Sequence, residues 1–221
     1  MQAIRWPGTI SDAKAIQLAL RNKVSIVPLR KKPRIIAGFD ASFAGSRVIG
    51  VACLYSYPEL ICLEYAFAVR DAVFPYVPGY LTFREGPVLV EALRNLKIKP
   101  DLILVDGQGI AHPKGIGIAS HLGVLLDIPS VGCAKSRLIG KYEEPGPQKG
   151  EWSPLKYAGG VVGAVLRTRE NVRPLFVSPG HGIDLKTSLG IVLGYTGKYR
   201  IPEPLRTADF LSKKIRRESL V

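Results

Sequence analysis

Two aspartates stand in apolar, strand-like segments, where a carboxylate is costly to bury unless it is paired or bound to a metal. Asp106 follows the apolar run 102–105 and precedes Gly107, so it ends a buried strand beside backbone that can approach a ligand closely. Asp40 lies within the apolar segment 35–43. A carboxylate at the end of a strand in an α/β sheet faces the crevice where ligands bind. We therefore expect these two residues to mark a site; for Asp40 the alternative is an edge or bulge position that reaches water.

Three further charged residues could join this site. Glu85 stands at the start of a predicted helix, where a carboxylate also favours the helix dipole. Asp209 lies at the margin of the apolar stripe of a C-terminal helix, so it points either toward the sheet edge or into solvent. Lys135 follows a predicted strand, where it would hold a phosphate or simply be solvated. In combination, three or four carboxylates on separate elements of a basic chain indicate a Mg²⁺ site for phosphoryl transfer.

Competing chemistries have little support. The three histidines show no metal-ligand spacing, and the chain contains neither a Gly-x-Ser-x-Gly elbow nor a phosphate-binding P-loop. The three cysteines lie in apolar runs without zinc spacing. Cys53 and Cys62 could face each other across a hairpin, but structural disulfides are rare in the reducing compartment that we expect for this chain.

The charge and the composition of the chain limit the classes of partner that we expect. The formal net charge of +13 favours a polyanionic partner such as nucleic acid. A hydrophobic fraction of 47% in 221 residues supports a large core and predicts one domain over residues 1–221. No apolar run is long enough to span a membrane, and the first residues lack an apolar signal-peptide core. We expect a cytoplasmic monomer without a membrane partner.

The central elements follow from the apolar periodicity. Strands are predicted over 34–43, 48–55 and 60–69, and their short links imply antiparallel neighbours. The strands predicted at 102–106 and 130–134 enter through helical crossovers, so they should run parallel to their neighbours. This order predicts an α/β, mixed sheet of three antiparallel strands and then parallel strands, with helices on both faces. It resembles the ribonuclease H-like fold.

The other predicted elements are the helices that cover the sheet, two further strands and one loop. Pro87 is tolerable in the first turn of the helix at 86–96. Ser11 can cap a helix at 11–24, whose apolar face holds Ala13, Ile16, Leu20 and Val24. The remaining predictions are helices at 117–127, 184–195 and 204–217, strands at 160–168 and 173–178, and a loop at 141–154.

A stiff loop presents one aromatic side chain. Pro75 and Pro78 restrict the backbone on either side of Tyr76. A tyrosine held in this way suits insertion into a base stack, since aromatic wedges separate base steps. The alternative is a proline-rich corner in which Tyr76 packs on the core.

Over nearly its whole length, the chain resembles the endonuclease V family, the deoxyinosine 3′-endonucleases. The first matching segment, 74–79, reads Phe-Pro-Tyr-Val-Pro-Gly, and the second, 83–87, reads Phe-Arg-Glu-Gly-Pro. The other matching segments are 106–109, 111–113, 117–121, 134–138, 177–181 and 200–204. These segments occur in this order, which makes the resemblance highly specific.

The resemblance implies a ribonuclease H-like fold and a Mg²⁺-dependent hydrolase, with Mn²⁺ expected as a substitute. Its substrate would be damaged DNA that contains deoxyinosine, the nucleoside of hypoxanthine. The family cuts the second phosphodiester bond 3′ to this nucleoside and leaves a 3′-hydroxyl and a 5′-phosphate. An inosine-specific ribonuclease or another ribonuclease H-like nuclease is the alternative, because RNA remains a possible substrate.

The family pattern also implies residue roles. Asp40, Asp106 and Glu85 would bind metal, and Lys135 would contact phosphate. Asp209, where some members have histidine, would hold a water or a second metal, so its duty stays open. Tyr76 with Pro75 and Pro78 would form the wedge. The base pocket would lie near the backbone of Gly79, Leu81, Gly107, His112 and Gly117.

A pocket of backbone groups would suit this substrate, because groups of fixed polarity would leave polar atoms unpaired against adenine. Hypoxanthine presents an oxo acceptor and an N–H donor where adenine presents an amino donor and a ring acceptor. The turn 106–109 would then join the hydrolytic centre to the recognition pocket.

Overall fold

A mixed β-sheet forms the centre of the molecule in the computed structural model, which describes residues 6–218. The strands are β1 (Ile35–Ala44), β2 (Arg47–Ser56), β3 (Cys62–Asp71), β4 (Leu102–Val105), β5 (Ser130–Ala134), β6 (Trp152–Tyr157), β7 (Gly160–Leu166) and β8 (Leu175–His181). The helices are α1 (Ile10–Arg21), α2 (Leu81–Arg94), α3 (Ile118–Leu126), α4 (Leu185–Gly194) and α5 (Glu203–Glu218). None of these helices is long and apolar enough to cross a bilayer.

The sheet confirms the predicted fold class. Its eight described strands lie in the order β3-β2-β1-β4-β5-β8-β7-β6. The first three are antiparallel, while β4 pairs parallel to β1 and β5 pairs parallel to β4. Since Phe39 pairs with Val105 in the β1–β4 register, the next positions on the two strands are Asp40 and Asp106. The Asp106 amide donates to the Phe39 carbonyl at 3.2 Å, which holds this end of β4 against β1.

The two faces of the sheet carry separate hydrophobic clusters. One cluster joins alternate strand residues such as Val51 and Leu104 to Leu205 of α5 and to α4. The other joins Phe39 and Ile103 to α2 and α3. Side chains alternate between faces along a strand, so Gly38, Asp40 and Ser42 all face α5. The fold thus places one of the candidate carboxylates under the C-terminal helix.

Helix α5 lies unusually close to β1 at Gly38. A Cβ atom added at Gly38 would lie 2.3 Å from the carbonyl carbon of Pro204, in the first turn of α5. Only glycine leaves room for this approach. The absent side chain therefore sets how near α5 lies to the candidate site.

The start of α2 differs from the prediction. The helix begins at Leu81 rather than at residue 86, so Glu85 lies in its second turn and Pro87 lies inside it. The predicted dipole contact of Glu85 at a helix start is therefore wrong. The additional turn is held by the burial of Phe83 in a cluster with Phe74 and Tyr80, which tertiary packing provides and local pattern does not.

The sequence analysis also missed one strand and misplaced the ends of one helix. The segment 141–154 is not wholly a loop, because β6 begins at Trp152 and contains Pro154; an edge strand tolerates proline, since one side of its backbone needs no partner. Helix α1 begins after Thr9, whose side chain accepts from the Asp12 amide, and not after Ser11. It ends at Arg21, so Val24 lies outside it.

The two hairpin cysteines do not face each other. Cys53 pairs with Tyr65 across the β2–β3 ladder, whereas Cys62 pairs with Tyr55. Both thiols are free, as is that of Cys133, which agrees with the expectation of no disulfide.

The close approach at Gly38 predicts a sharp sensitivity to side-chain volume. We expect Gly38→Val to lower the free energy of unfolding by about 3 kcal/mol, because its methyl groups would overlap the α5 backbone. Urea unfolding followed by circular dichroism measures this change. Gly190→Ala is the control: its added methyl meets nothing within 4 Å in a helix interior, so stability should stay equal or rise by about 0.5–1 kcal/mol. Equal stability of Gly38→Val and the parent protein would contradict the close approach.

Candidate active site

Three carboxylates converge where β1, β4 and α5 meet. Asp40 comes from the middle of β1, Asp106 directly follows β4, and Asp209 lies on α5. Each offers one oxygen, and these oxygens all lie within 4.8 Å of one another. The structure thus brings the two predicted aspartates together. It also decides the open question about Asp209, which points toward the sheet and not into bulk solvent.

A serine that the sequence analysis missed holds α5 in register with β1. Ser212 is fully buried, and its hydroxyl lies 2.7 Å from Asp40 Oδ2, to which it donates. The Ser42 hydroxyl in turn donates to the Ser212 carbonyl at 2.9 Å. Ser212 lies one turn beyond Ala208 on the buried stripe of α5, and this spacing is the signal that could have identified it. These two bonds place Asp209, on the same turn, beside the other carboxylates.

Two lysines offset the negative charge of the cluster. Lys135, which follows β5 as predicted, places Nζ 2.5 Å from Asp106 Oδ2 and 3.6 Å from Asp209 Oδ1. Lys213, which the sequence analysis missed, donates to both Asp209 oxygens at 2.8 and 2.7 Å. Burial lowers the pKa of Lys135, but its hydrogen bond to Asp106 and the nearby aspartate charges outweigh this and raise that pKa overall. Lys135 therefore stays a cation at this site.

Asp40 and Glu85 lie in an environment that disfavours their ionisation. Burial raises the pKa of Asp40 to about 6; the Ser212 hydrogen bond opposes this shift, and repulsion by Asp106 and Asp209 adds to it. Burial also raises the pKa of Glu85 to about 8, and repulsion by Asp40 and Asp106 contributes. Glu85 is not one of the three carboxylates that meet within 4.8 Å, although repulsion by Asp40 and Asp106 affects its pKa.

The donor set fits a divalent cation. All three groups offer oxygen ligands, which Mg²⁺ prefers, and they come from separate elements of the fold. A bound cation would relieve the repulsion that raises the pKa of Asp40. The geometry supports a metal-assisted reaction, while the role of Glu85 as a ligand stays a prediction.

The residues predicted for a base pocket lie around the loop before α2 and the turn after β4. Gly79 has a positive φ of 82°, and a Cβ added there would lie 3.7 Å from His112 Nε2. Leu81 begins α2 just beyond, and Gly107 directly follows Asp106. The Gly117 amide donates to the Gly109 carbonyl at 2.8 Å, which closes the turn after Asp106 onto the start of α3. The structure thus brings the carboxylate and the predicted pocket turn together.

His112 is a neutral hydrogen-bonding group in this region. Burial, with the charge of Lys114, lowers the pKa of His112 to about 4. The Lys114 amide donates to His112 Nδ1 at 3.2 Å, so the proton of the neutral ring lies on Nε2. Nε2 is also the atom nearest to Gly79. His112 can therefore donate one hydrogen bond toward the pocket.

Gln17 is a buried residue beside the predicted pocket, and the sequence analysis missed it. It is 3% exposed on α1, and its Nε2 donates to the Gly79 carbonyl at 3.0 Å. Its Oε1 has no hydrogen-bond partner among residues 6–218. The predicted apolar face assigned Ile16 and Leu20 to the core, but both are only half-buried, while Gln17 is buried one turn after Ala13. That spacing from Ala13 was the available signal.

The segment 74–80 presents the predicted wedge. Tyr76 is 73% exposed, and Pro75 and Pro78 on either side are exposed as well. Phe74 and Tyr80 are buried in one cluster and anchor both ends of the segment. The alternative in which Tyr76 packs on the core is therefore wrong.

Comparison with known proteins identifies similar chains. Residues 18–210 match the family model described as Endonuclease V. Endonuclease V of Roseiflexus sp. (strain RS-1) is 46% identical over 207 residues, which cover 94% of this chain and 93% of that protein.

Two solved structures are also similar. Endonuclease V from Streptomyces avermitilis has a TM-score of 0.94 at 40% identity, covering 98% of this chain and 96% of that one. Ciona intestinalis endonuclease V, in complex with a 24mer DNA containing an inosine followed by a ribo-adenosine, has a TM-score of 0.84 at 29% identity. That match covers 95% of this chain and 98% of the Ciona chain.

The raised pKa of Glu85 predicts a pH-dependent stability of the metal-free protein. The unfolded chain ionises Glu85 near its ordinary pKa of 4.5, whereas the fold retains the proton to about pH 8. The free energy of unfolding should therefore fall as the pH rises from 4.5 to 8 and stay lower above that range. Glu85→Gln should be more stable than the parent by about 1–3 kcal/mol at pH 8 and should gain nothing at pH 4.

Urea unfolding in EDTA at the two pH values measures this difference. Glu170→Gln, which removes an exposed carboxylate, controls for the loss of one negative charge. An equal gain for Glu85→Gln at both pH values would contradict the effect of burial.

Proposed function

Because this chain belongs to the endonuclease V family, we propose that it is a divalent-metal-dependent endonuclease that acts on deoxyinosine in damaged DNA. It cuts the second phosphodiester bond 3′ to the lesion, leaves a 3′-hydroxyl and a 5′-phosphate, and works as a cytoplasmic monomer. The observation that carries this proposal is the cluster of Asp40, Asp106 and Asp209 with Lys135 at its edge. The net charge of +13 and the inosine-containing DNA bound by the Ciona relative support a nucleic-acid substrate.

Asp40, Asp106 and Asp209 would hold Mg²⁺, or Mn²⁺ in its place, with Glu85 completing the acidic set. When bound, the cation supplies positive charge that orients the attacking water and neutralises the reacting phosphate. Ser212 keeps Asp40 oriented, and Lys213 fixes the Asp209 carboxylate by donating to both of its oxygens. Lys135 is half-exposed on a flexible stem, so its ammonium group can turn from Asp106 to a scissile phosphate oxygen.

The recognition pocket would discriminate through groups of fixed polarity. The neutral His112 ring donates from Nε2 and accepts at Nδ1, so it presents a donor to an acceptor atom of the base. Gln17 holds the Gly79 backbone in place, and the turn after Asp106 lines the other side. Adenine would leave groups unpaired in such a pocket, which costs more than a poor apolar fit. Tyr76 would fill the space in the stack that the extruded base leaves.

A second candidate is an inosine-directed ribonuclease of the same fold. The specific observation in its favour is that the oligonucleotide bound by the Ciona relative carries a ribo-adenosine after its inosine. Parallel cleavage of inosine-containing DNA, RNA and hybrid duplexes separates the two candidates by their relative rates.

Cleavage mapping tests the proposed reaction. An inosine-containing duplex incubated with the protein and Mg²⁺ should be nicked one nucleotide beyond the lesion, and EDTA should abolish nicking. Asp106→Asn should lower the nicking rate at least about a hundredfold, because it removes a metal ligand while keeping the shape of the side chain. Asp101→Asn, at the opposite end of β4, is the matched control. Uncut inosine strands with both Mg²⁺ and Mn²⁺ would refute the proposal.

The exposed wedge predicts a selective loss of binding. Tyr76→Ala should weaken binding to an inosine-containing duplex by about 1–3 kcal/mol, since it removes one aromatic–base stack. Binding to the undamaged duplex should change much less. Fluorescence anisotropy in the presence of Ca²⁺ measures both affinities without turnover, and Tyr199→Ala, another exposed tyrosine, is the control. Equal losses on the two duplexes would exclude a wedge role.

A further inference from the structure

A second cavity lies at the end of the sheet away from the carboxylates. It has a volume of about 420 Å³, and its lining residues include Leu29, Pro33, Tyr57, Gly190, Ile191 and Tyr195. Arg34 borders the cavity and directly precedes β1. Asp40 lies six residues beyond Arg34 along extended strand, which places the cavity about 20 Å from that carboxylate. We call this cavity, with the segment Pro28–Arg34 that borders it, the distal groove. The proposed cleavage reaction gives it no role.

The floor of the distal groove is apolar and contains a hydroxyl with no partner. The rings of Tyr57 and Tyr195 lie 5.3 Å apart between centroids, and Leu29 and Ile191 complete the lining. Tyr195 is 1% exposed, yet its hydroxyl has no hydrogen-bond partner in the described part of the chain. Buried polar groups are nearly always paired, so this hydroxyl can still donate one hydrogen bond to an acceptor that reaches the floor of the groove.

The rim of the groove is strongly positive. Arg30, Lys31, Lys32 and Arg34 are exposed within one short segment, and none of them forms an ion pair with any residue between 6 and 218. Lys31 and Lys32 line the cavity itself. Asp101 and Asp127 line the neighbouring cavity, but the four cations outnumber them, and the Asp101 carboxylate already accepts from the Arg34 and Ile35 amides at 2.8 and 3.0 Å. The groove therefore complements a ligand of negative charge.

The length of the groove favours a chain-like occupant. A neighbouring cavity of about 900 Å³ continues past Arg30 to His181. The residues that it shares with the 420 Å³ cavity are Leu29, Lys31, Lys32 and Pro33. The apolar depth accepts a hydrophobic side chain, while the cations stand along the rim, where the flanking charges of the same ligand would lie. Among the uncharged residues that line the 420 Å³ cavity, only the hydroxyl groups of Tyr57, Thr187 and Tyr195 are polar side-chain groups. Three hydroxyl groups are too few to read the edge of a base.

We propose that the distal groove binds an acidic peptide segment of a partner protein through one aromatic side chain. The aromatic ring enters beside Tyr57 and Tyr195, and a peptide carbonyl or carboxylate accepts from the Tyr195 hydroxyl. The flanking Asp or Glu residues pair with Lys31 and Lys32. Such an interaction would bring the nuclease to a partner while leaving the carboxylate cluster free, because the groove lies before the start of β1 and about 20 Å from Asp40 along the strand.

Gly190 makes the groove testable without disturbing the fold. It lines the cavity from α4, and a Cβ added there meets nothing within 4 Å. Gly190→Leu should therefore fill the cavity from a helix that accepts leucine readily. Gly190→Ala adds only one methyl group at the same position and is the matched control.

Fluorescence anisotropy with a labelled peptide tests the proposal. The probe is a short peptide of alternating Asp and Gly residues with one central Trp, and a second probe has Ser in place of Trp. We expect saturable binding of the Trp peptide, weakened at least about tenfold by Gly190→Leu and by the double variant Lys31→Gln/Lys32→Gln. Two controls should bind the peptide as the parent does. One is Gly190→Ala, and the other is the charge-matched double variant Lys141→Gln/Lys156→Gln, near the β6 edge of the sheet. Nicking of the inosine duplex by Gly190→Leu should be unchanged.

Three results would overturn the proposal. Equal binding of the Trp and Ser peptides would reduce the interaction to the general positive charge of the chain. Full peptide binding by Gly190→Leu would place the interaction outside the groove. Binding of undamaged single-stranded DNA that Gly190→Leu weakens, in the absence of peptide binding, would assign the groove to nucleic acid instead.

Discussion

Mutual repulsion among three carboxylates is the constraint on which the rest of this structure depends. Asp40, Asp106 and Asp209 lie within 4.8 Å of one another, and burial with that repulsion raises the pKa of Asp40 to about 6. Such groups do not assemble unaided, so each needs a support that outweighs the repulsion. The β1–β4 register places the first two, and the close approach of α5 at Gly38 places the third. A fold that holds these charges together is prepared for a cation, which is why the proposed chemistry follows from the packing.

The turn after Asp106 would link the proposed hydrolytic centre to the predicted base pocket. Asp106 and Gly107 are adjacent in the chain, and hydrogen bonds close the following turn onto the start of α3. On the other side, Gln17 ties helix α1 to the Gly79 backbone beside His112. A shift of either support would move the pocket relative to the carboxylates. The distance between the lesion and the bond that is cut would therefore depend on the rigidity of this short segment.

Much of the fold was predictable because its signals are local. Apolar runs located β1 to β5, and the short links and helical crossovers predicted their directions correctly. The failures have physical causes outside those runs. Helix α2 gained a turn because Phe83 packs with Phe74 and Tyr80, and Pro154 is tolerated because β6 is an edge strand. The apolar face assigned to α1 missed Gln17, whose burial depends on a carbonyl distant in sequence.

The sequence by itself determined the strands β1 to β5, the basic charge, the stiff loop around Tyr76 and the meeting of Asp40 with Asp106. It could do so because strand direction and residue alternation follow from local pattern. Only the tertiary structure decided that Asp209 joins them, that Ser212 orients Asp40, and that Tyr76 is exposed. The physical reason is that the approach of a helix to a sheet depends on the volume of side chains from both elements. Gly38 has no side chain, which allows α5 to lie close to β1, and the sequence pattern of α5 alone does not predict this approach.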